Sequence, residues 1–233
     1  MLRMILFSAL LLMGLFSCKK DQYYRDSGTH DPHFKGNTLA YLDAVPFFFD
    51  SVAQVVRLSG MEEVFTKDTL TFFAPTDLSI KNLVETLNDN LFMYGYDTVK
   101  TLADIPPIIW QKYLQRYMFH GANQLKDYPQ IDFSLKSIYP GQDYLSWNNT
   151  TMNIGVVYAD DNGVKYVGYR QLTLSYIPDL TYPLNDWNTA FVSSSNILTD
   201  NGVVHALDKN QYYFGFDIGT FLYDMISVMQ TGG

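Results

Sequence analysis

Leu70-Thr71-Phe72-Phe73-Ala74-Pro75-Thr76-Asp77 is the stretch from which the fold can be read. Its first five residues are rich in β-branched and aromatic side chains and read as a core strand, which Pro75 stops because it has no amide to donate. Upstream, Phe48, Val52, Val55 and Val56 recur with the helical period from Phe47 onward, and Gly60 stands where a left-handed residue ends a helix. A short turn over Met61 to Phe65 then leads into the strand. Downstream, Thr76 or Asp77 is placed to cap a helix whose apolar stripe is Ile80, Leu83, Val84 and Leu87. Pro106-Pro107 starts another, carrying Ile109, Tyr113, Leu114 and Tyr117.

The second half changes period. Strand-like runs cover roughly 131–139, 151–159 and 164–176, with further strands near 189–194 and 203–207. Asp160-Asp161-Asn162-Gly163 joins the second and third runs, and Asn162-Gly163 is a hairpin signal because both residues tolerate positive φ. That acidic turn lacks the alternating D-x-D-x-D-G oxygen ladder of a calcium loop, so it reads as a turn. Helices first and strands later imply an α+β domain with a mainly helical first half and a β-rich second half.

Two segments together resemble the fasciclin, or FAS1, family. Thr71-Phe72-Phe73-Ala74-Pro75-Thr76-Asp77 is close to its first motif, T-x-F-A-P-T-[ND]. Asn201-Gly202-Val203-Val204-His205-Ala206-Leu207-Asp208 is close to its second, N-G-x-[IV]-H-x-[IVL]-D, and Phe119-His120-Gly121 stands at the position of its Tyr-His pair. The resemblance implies a wedge built from a β-sandwich with helices packed against it, and an adhesion role. It implies a single domain over 37–216, with insertions near 88–105 and 140–190. The family-motif residues Thr71, Phe73, Ala74, Pro75, Thr76, Phe119, His120, Asn201, Gly202, His205 and Asp208 are expected to be structural. Phe119 departs from the family tyrosine and lacks its hydroxyl. His120 and His205 read as buried histidines satisfied by backbone or by Asp208, since no carboxylate or thiol cluster accompanies them.

The N-terminus carries its own signal. After Met1-Leu2-Arg3, residues 4–17 hold no charge and are too few to span a bilayer, which makes 1–17 a signal peptide. Leu15-Phe16-Ser17-Cys18 has the form of a lipoprotein processing site. Cys18 is the only cysteine, so no internal disulfide can use it, and acylation gives it a role. Residues 18–36 then read as a flexible stalk, polar and broken by Gly and Pro; His30 and His33 within it lack the fixed further ligands of a metal site. The expected location is the outer membrane, lipid-anchored and exposed at the cell surface, with the periplasmic face as the alternative. The net charge is −8, one unit more negative once Arg3 is cleaved away, and with a pI near 4.8 this argues against nucleic acid as a partner.

No nucleophile elbow, P-loop or H-E-x-x-H is present, and Ser193-Ser194-Ser195 lies near His205 in sequence only, so no catalytic residue, metal or cofactor is expected. Binding is expected instead from aromatics in turn-rich sequence, namely Tyr139, Tyr144 and Trp147 in 139–147 and Tyr182 and Trp187 in 182–187. Such rings anchor protein interfaces or stack on sugars, and they also serve to cover a core. Ile218, Phe221, Leu222, Met225 and Met229 share one face of a helix over 217–233, which packs on its own domain or docks another protein. Thr98 in Asp97-Thr98-Val99 and Thr69 in Asp68-Thr69-Leu70 resemble the O-glycosylation sites of Bacteroidota, as does the site at Ser51. The reading is a non-enzymatic FAS1-like lipoprotein that contacts envelope proteins or extracellular polymer. The alternative is a glycan-binding accessory protein of a SusC/SusD-type polysaccharide-uptake system.

Overall fold

The computed structural model describes residues 32–208 and 213–231; the leader, Cys18 and His30 lie outside them. Six α-helices are found among these residues: α1 (Thr38–Ala44), α2 (Pro46–Leu58), α3 (Glu62–Lys67), α4 (Asp77–Met93), α5 (Pro107–Leu114) and α6 (Ile218–Thr231). Asn37 caps α1 by accepting the Ala40 amide at 2.9 Å, a start that the sequence reading missed. Gly60, at φ +70°, ends α2 as expected. The Gly60 amide donates to the Arg57 carbonyl and the Met61 amide to that of Val56, which satisfies two carbonyls the helix leaves open. Gly95, at φ +77°, closes α4 in the same way. Residues 88–93, read as the start of an insertion, continue α4, and Asn88 clamps Val99 through both its amide and its carbonyl.

Thr76 and Asp77 do not cap α4 with their side chains. The Thr76 hydroxyl is buried without a hydrogen-bond partner. The Asp77 carboxylate accepts from the amides of Asp50, Ser51 and Val52 and so fastens α4 to α2. Burial pushes Asp77 above the usual carboxylate range, against the opposite pull of those three amides.

Eight strands form one mixed sheet, seven of them in the order β2-β1-β8-β7-β6-β5-β3, with β4 off this path and paired to β5. They are β1 (Leu70–Ala74), β2 (Met118–His120), β3 (Gln130–Ile131), β4 (Gln142–Leu145), β5 (Thr151–Tyr158), β6 (Arg170–Tyr176), β7 (Asn188–Thr199) and β8 (Gly202–Leu207). The chain is therefore α+β, as its periodicity implies. β7 belongs to both halves of the path and carries register shifts between Val192 and Ile197, which bend it. Past β4, the Trp147 amide donates to the Met118 carbonyl of β2 at 2.8 Å, so the path curls until its two ends touch.

Three expectations need correction here. Residues 131–139 are strand only at Ile131: Asp132 accepts the Ser134 amide and hydroxyl, and this local bonding turns the chain out of the ladder. The run 164–176 becomes strand only at Arg170, because Tyr166 sits at φ +65° beyond the Asn162-Gly163 turn. Residues 32–36 are not free stalk. The Phe34 amide donates to the Leu198 carbonyl, the Leu198 amide to that of Pro32, and the Asp200 amide to that of Gly36.

The C-terminal helix packs on its own domain. Phe214, Phe221 and Met225 are fully buried, Phe221 meets the rings of Trp110 and Tyr113, and Phe214 stacks on Tyr117. Asp224 of α6 accepts from Lys112 at 2.5 Å and from the Tyr113 hydroxyl at 2.7 Å. The buried Arg116 lies between the Tyr113 and Tyr176 rings and donates to the Gly215 carbonyl.

Candidate interaction surface

The two motif segments lie side by side as a parallel pair, Leu70 opposite Gly202 through Ala74 opposite Ala206, and every residue of both strands is buried. Gly202 is required by close approach, since a Cβ there would run into the Leu70 carbonyl oxygen. Asn201 is a hub. Its side-chain oxygen accepts the Thr38 amide at 2.8 Å and the Thr38 hydroxyl at 3.1 Å, while its amide nitrogen donates to the carbonyls of Phe65 and Asp68. Thr71 donates to the Gly121 carbonyl and accepts the Asn123 amide. Phe73 packs against Phe119 and His205.

His205 is fully buried, and both ring nitrogens are committed. Nδ1 accepts the Asn196 amide at 3.2 Å, and Nε2 lies 3.0 Å from the Asn123 carbonyl, which can only accept; the ring is therefore neutral with its proton on Nε2. Backbone satisfies it, not Asp208, whose own amide closes on the Phe191 carbonyl. Desolvation holds its pKa near 4. Because the unfolded ring titrates near 6.5, the unfolded chain binds the extra proton first as pH falls. This contribution to stability is complete above pH 6.5 and is lost between pH 6.5 and 4, at a cost of roughly 3 kcal/mol. Nitrogen NMR of the ring is expected to show the Nε2–H form without titration above pH 5, and titration near 6.5 would contradict the burial. His120, expected to be buried, is exposed and stacks on Trp147 with ring centroids 4.0 Å apart. Ser193 Oγ donates to the carbonyls of Ala206 and Leu207. Among the described residues no cluster of three or more His, Cys, Asp or Glu is placed to hold a metal ion.

The aromatic candidates separate into two groups. Tyr144 and Trp147 are half-buried where the curled sheet closes, Tyr144 edge-on to Tyr128 and Trp147 on His120, so they serve packing. Tyr139, Tyr182 and Trp187 belong to a different neighbourhood, where the loops 159–169 and 177–187 both meet the segment 132–139. The Tyr166 hydroxyl donates to Asp132 at 2.9 Å and its ring meets Tyr139. Lys136 lies over Trp187 and donates to the Leu184 carbonyl at 2.7 Å, and Phe133 touches Trp187 and Phe191. The indole of Trp187 in turn donates to the Pro183 carbonyl.

These braces leave apolar side chains facing water. Tyr169 is 72% and Tyr182 64% exposed, and Ile138, Val164, Val167, Leu180 and Leu184 are also exposed in the three loops. Only Tyr182 of these seven is among the sequence candidates. The sequence period places Val164, Val167 and Tyr169 in a strand, and the signal against that is their position directly after a tight turn. Tyr166 at positive φ is unusual for a bulky residue and is held there by Asp132, which accepts from its hydroxyl, and by the Asp160 carboxylate, which accepts from its backbone amide. Thr98 is exposed beside a cleft that Met225 and Met229 also line, and Thr69 is exposed just before β1.

No family model and no curated protein matches the sequence. Among solved structures the chain is similar to a FAS1 domain pair from the insect cell adhesion molecule fasciclin I, at 14% identity and a TM-score of 0.46. That likeness covers 74% of this chain and 49% of the other, so the chain spans about half the length of that structure.

Proposed function

We propose that this chain is a non-enzymatic FAS1-type lipoprotein, held through Cys18 at the outer membrane, that acts as an adhesion or protein-interaction module. The observation that carries this reading is the braced surface of the three loops. An isolated exposed apolar side chain is ordinary, but seven on two loops and the segment 132–139 that braces both by hydrogen bonds and ring contacts supply preorganised contact area. The commitment of His205 and Ser193 to backbone partners supports the non-enzymatic part. The order of Leu15 to Cys18 and the lone cysteine support the anchor.

Replacing Tyr169, Tyr182 and Leu184 together by Ser is expected to weaken retention of the protein on its cognate surface about ten-fold. The melting temperature should stay within about 2 °C of the parent, because the three side chains are exposed. A surface-retention assay paired with thermal unfolding checks both halves, and a large fall in melting temperature would show that the loops are core. The exposed rings of Tyr169 and Tyr182 also favour a second reading, a glycan-binding accessory protein of a SusC/SusD-type polysaccharide-uptake system. A glycan array probed with the mature chain carrying Cys18→Ser separates the two.

A further inference from the structure

A second exposed apolar feature lies elsewhere in the fold. α4 ends in Asn90-Leu91-Phe92-Met93-Tyr94-Gly95-Tyr96, seven residues without a charge. Leu91 is buried, whereas Phe92, Met93 and Tyr94 are 79%, 73% and 61% exposed. The Gly95 turn fixes them as a tip: the Tyr96 amide donates to the Leu91 carbonyl at 2.9 Å, and the Tyr96 hydroxyl accepts from Gln230 of α6 at 2.9 Å.

The end of the domain from which this tip projects follows from the packing. α2 and α4 run side by side in the same direction, since Ser51 meets Asp77 at one level and Gln54 lines the same cleft as Lys81 and Glu85 further along. α2 stops at Leu58, and the chain then reaches the Phe65 and Asp68 carbonyls held by Asn201. α4 continues to Met93, about 13 Å further along its axis than α2 at the helical rise. The tip therefore projects at the Asn201 end, where Gly36 and Thr38 are held. The chain enters the fold a little earlier, at Pro32, whose carbonyl accepts the Leu198 amide, about 10 Å along β7 from Asn201 at the strand rise. Thirteen residues separate Cys18 from Pro32, a tether of about 50 Å at most.

We propose that Phe92, Met93 and Tyr94 insert into the interfacial layer of the membrane to which Cys18 tethers the chain. The inference rests on the anchor reading above. A lipid surface is favoured over a protein partner because the run is uncharged, the tip carries large apolar side chains with tyrosines at its C-terminal side, and a tether of that length entering at Pro32 lets the tip reach the membrane that holds Cys18. Insertion turns a domain hung on a stalk into one held at a second point, which would restrict how the loop surface is presented.

The test uses the full lipidated chain carrying Met93→Cys, labelled with the polarity-sensitive dye NBD; the acylated Cys18 is not available to the dye. The protein is placed on vesicles of phosphatidylethanolamine with a minor share of phosphatidylglycerol. Emission from position 93 is expected to rise about two-fold or more over the vesicle-free sample, and to be quenched by lipids spin-labelled near the headgroup. Dye at Thr181→Cys should not respond. Protein that floats with the vesicles while its emission at position 93 is unchanged overturns insertion alone. Protein that does not float overturns the anchor and this inference with it. A rise that follows protein concentration without vesicles assigns the tip to a second copy of the chain and overturns the lipid reading.

Discussion

A chain truncated after Asp208 is expected to lose cooperative folding. The missing part carries Phe214, Phe216, Phe221 and Met225, all buried. At about 1.5 to 3 kcal/mol for each buried apolar side chain, their removal costs about 6 to 12 kcal/mol, as much as the whole stability of an ordinary domain. Two polar consequences add to it. Arg116 loses the Gly215 carbonyl, the only hydrogen-bond acceptor found for it among the described residues, and Tyr113 loses Asp224. The milder Phe221→Ala change is expected to cost about 3 to 5 kcal/mol, from a ring seated between Trp110 and Tyr113. Urea unfolding followed by near-ultraviolet circular dichroism checks both. A truncated chain that unfolds at the parent's midpoint would mean that α6 is an appendage.

The second large effect belongs to the turn that introduces β8. Asn201→Ala removes four hydrogen bonds that tie the start of α1 and the approach to β1 to the β7–β8 turn, and is expected to cost about 3 to 4 kcal/mol. Asn201→Asp should be worse, because a carboxylate oxygen would then face the Phe65 and Asp68 carbonyls that the amide nitrogen now satisfies. Gly202→Ala, which drives a methyl group into the β1 backbone, is expected to cost about 3 kcal/mol or more. Thermal and urea unfolding of the three variants measures this. Midpoints equal to the parent's would remove the structural role assigned to the motif residues.

The legible part of the fold was the part governed by local period or by one decisive residue. The helix over Phe48 to Val56 announces itself by spacing and Gly60, β1 by composition and Pro75, and the strand near 203–207 by its β-branched run after Asn201-Gly202; that the two strands pair in parallel is shown by the structure. What escaped was set by tertiary context. Ile131, Phe133 and Leu135 alternate as a strand would, but Asp132 and Ser134 bond locally, and the segment crosses the sheet toward Phe191 instead. Residues 142–145 look like loop and become β4 because β5 offers a free edge. The sequence names the aromatic candidates but not which of them share a neighbourhood. Tyr139, Tyr182 and Trp187 lie where the loops gather, while Tyr144 and Trp147 close the curled sheet. Nothing in the sequence alone shows that two loops at different ends of β6 meet through Lys136 and Asp132.

The claim on which the rest depends is that the two motif segments are neighbouring core strands and that the three loops are surface. Amide hydrogen exchange read by mass spectrometry tests it in one experiment on the intact chain. Peptides covering 70–74 and 202–207 should exchange last, opening only with global unfolding, while those covering 160–169 and 178–187 should exchange orders of magnitude faster. Exchange of 202–207 at the rate of the loops would contradict the parallel pairing of β1 with β8, and with it the fold assignment.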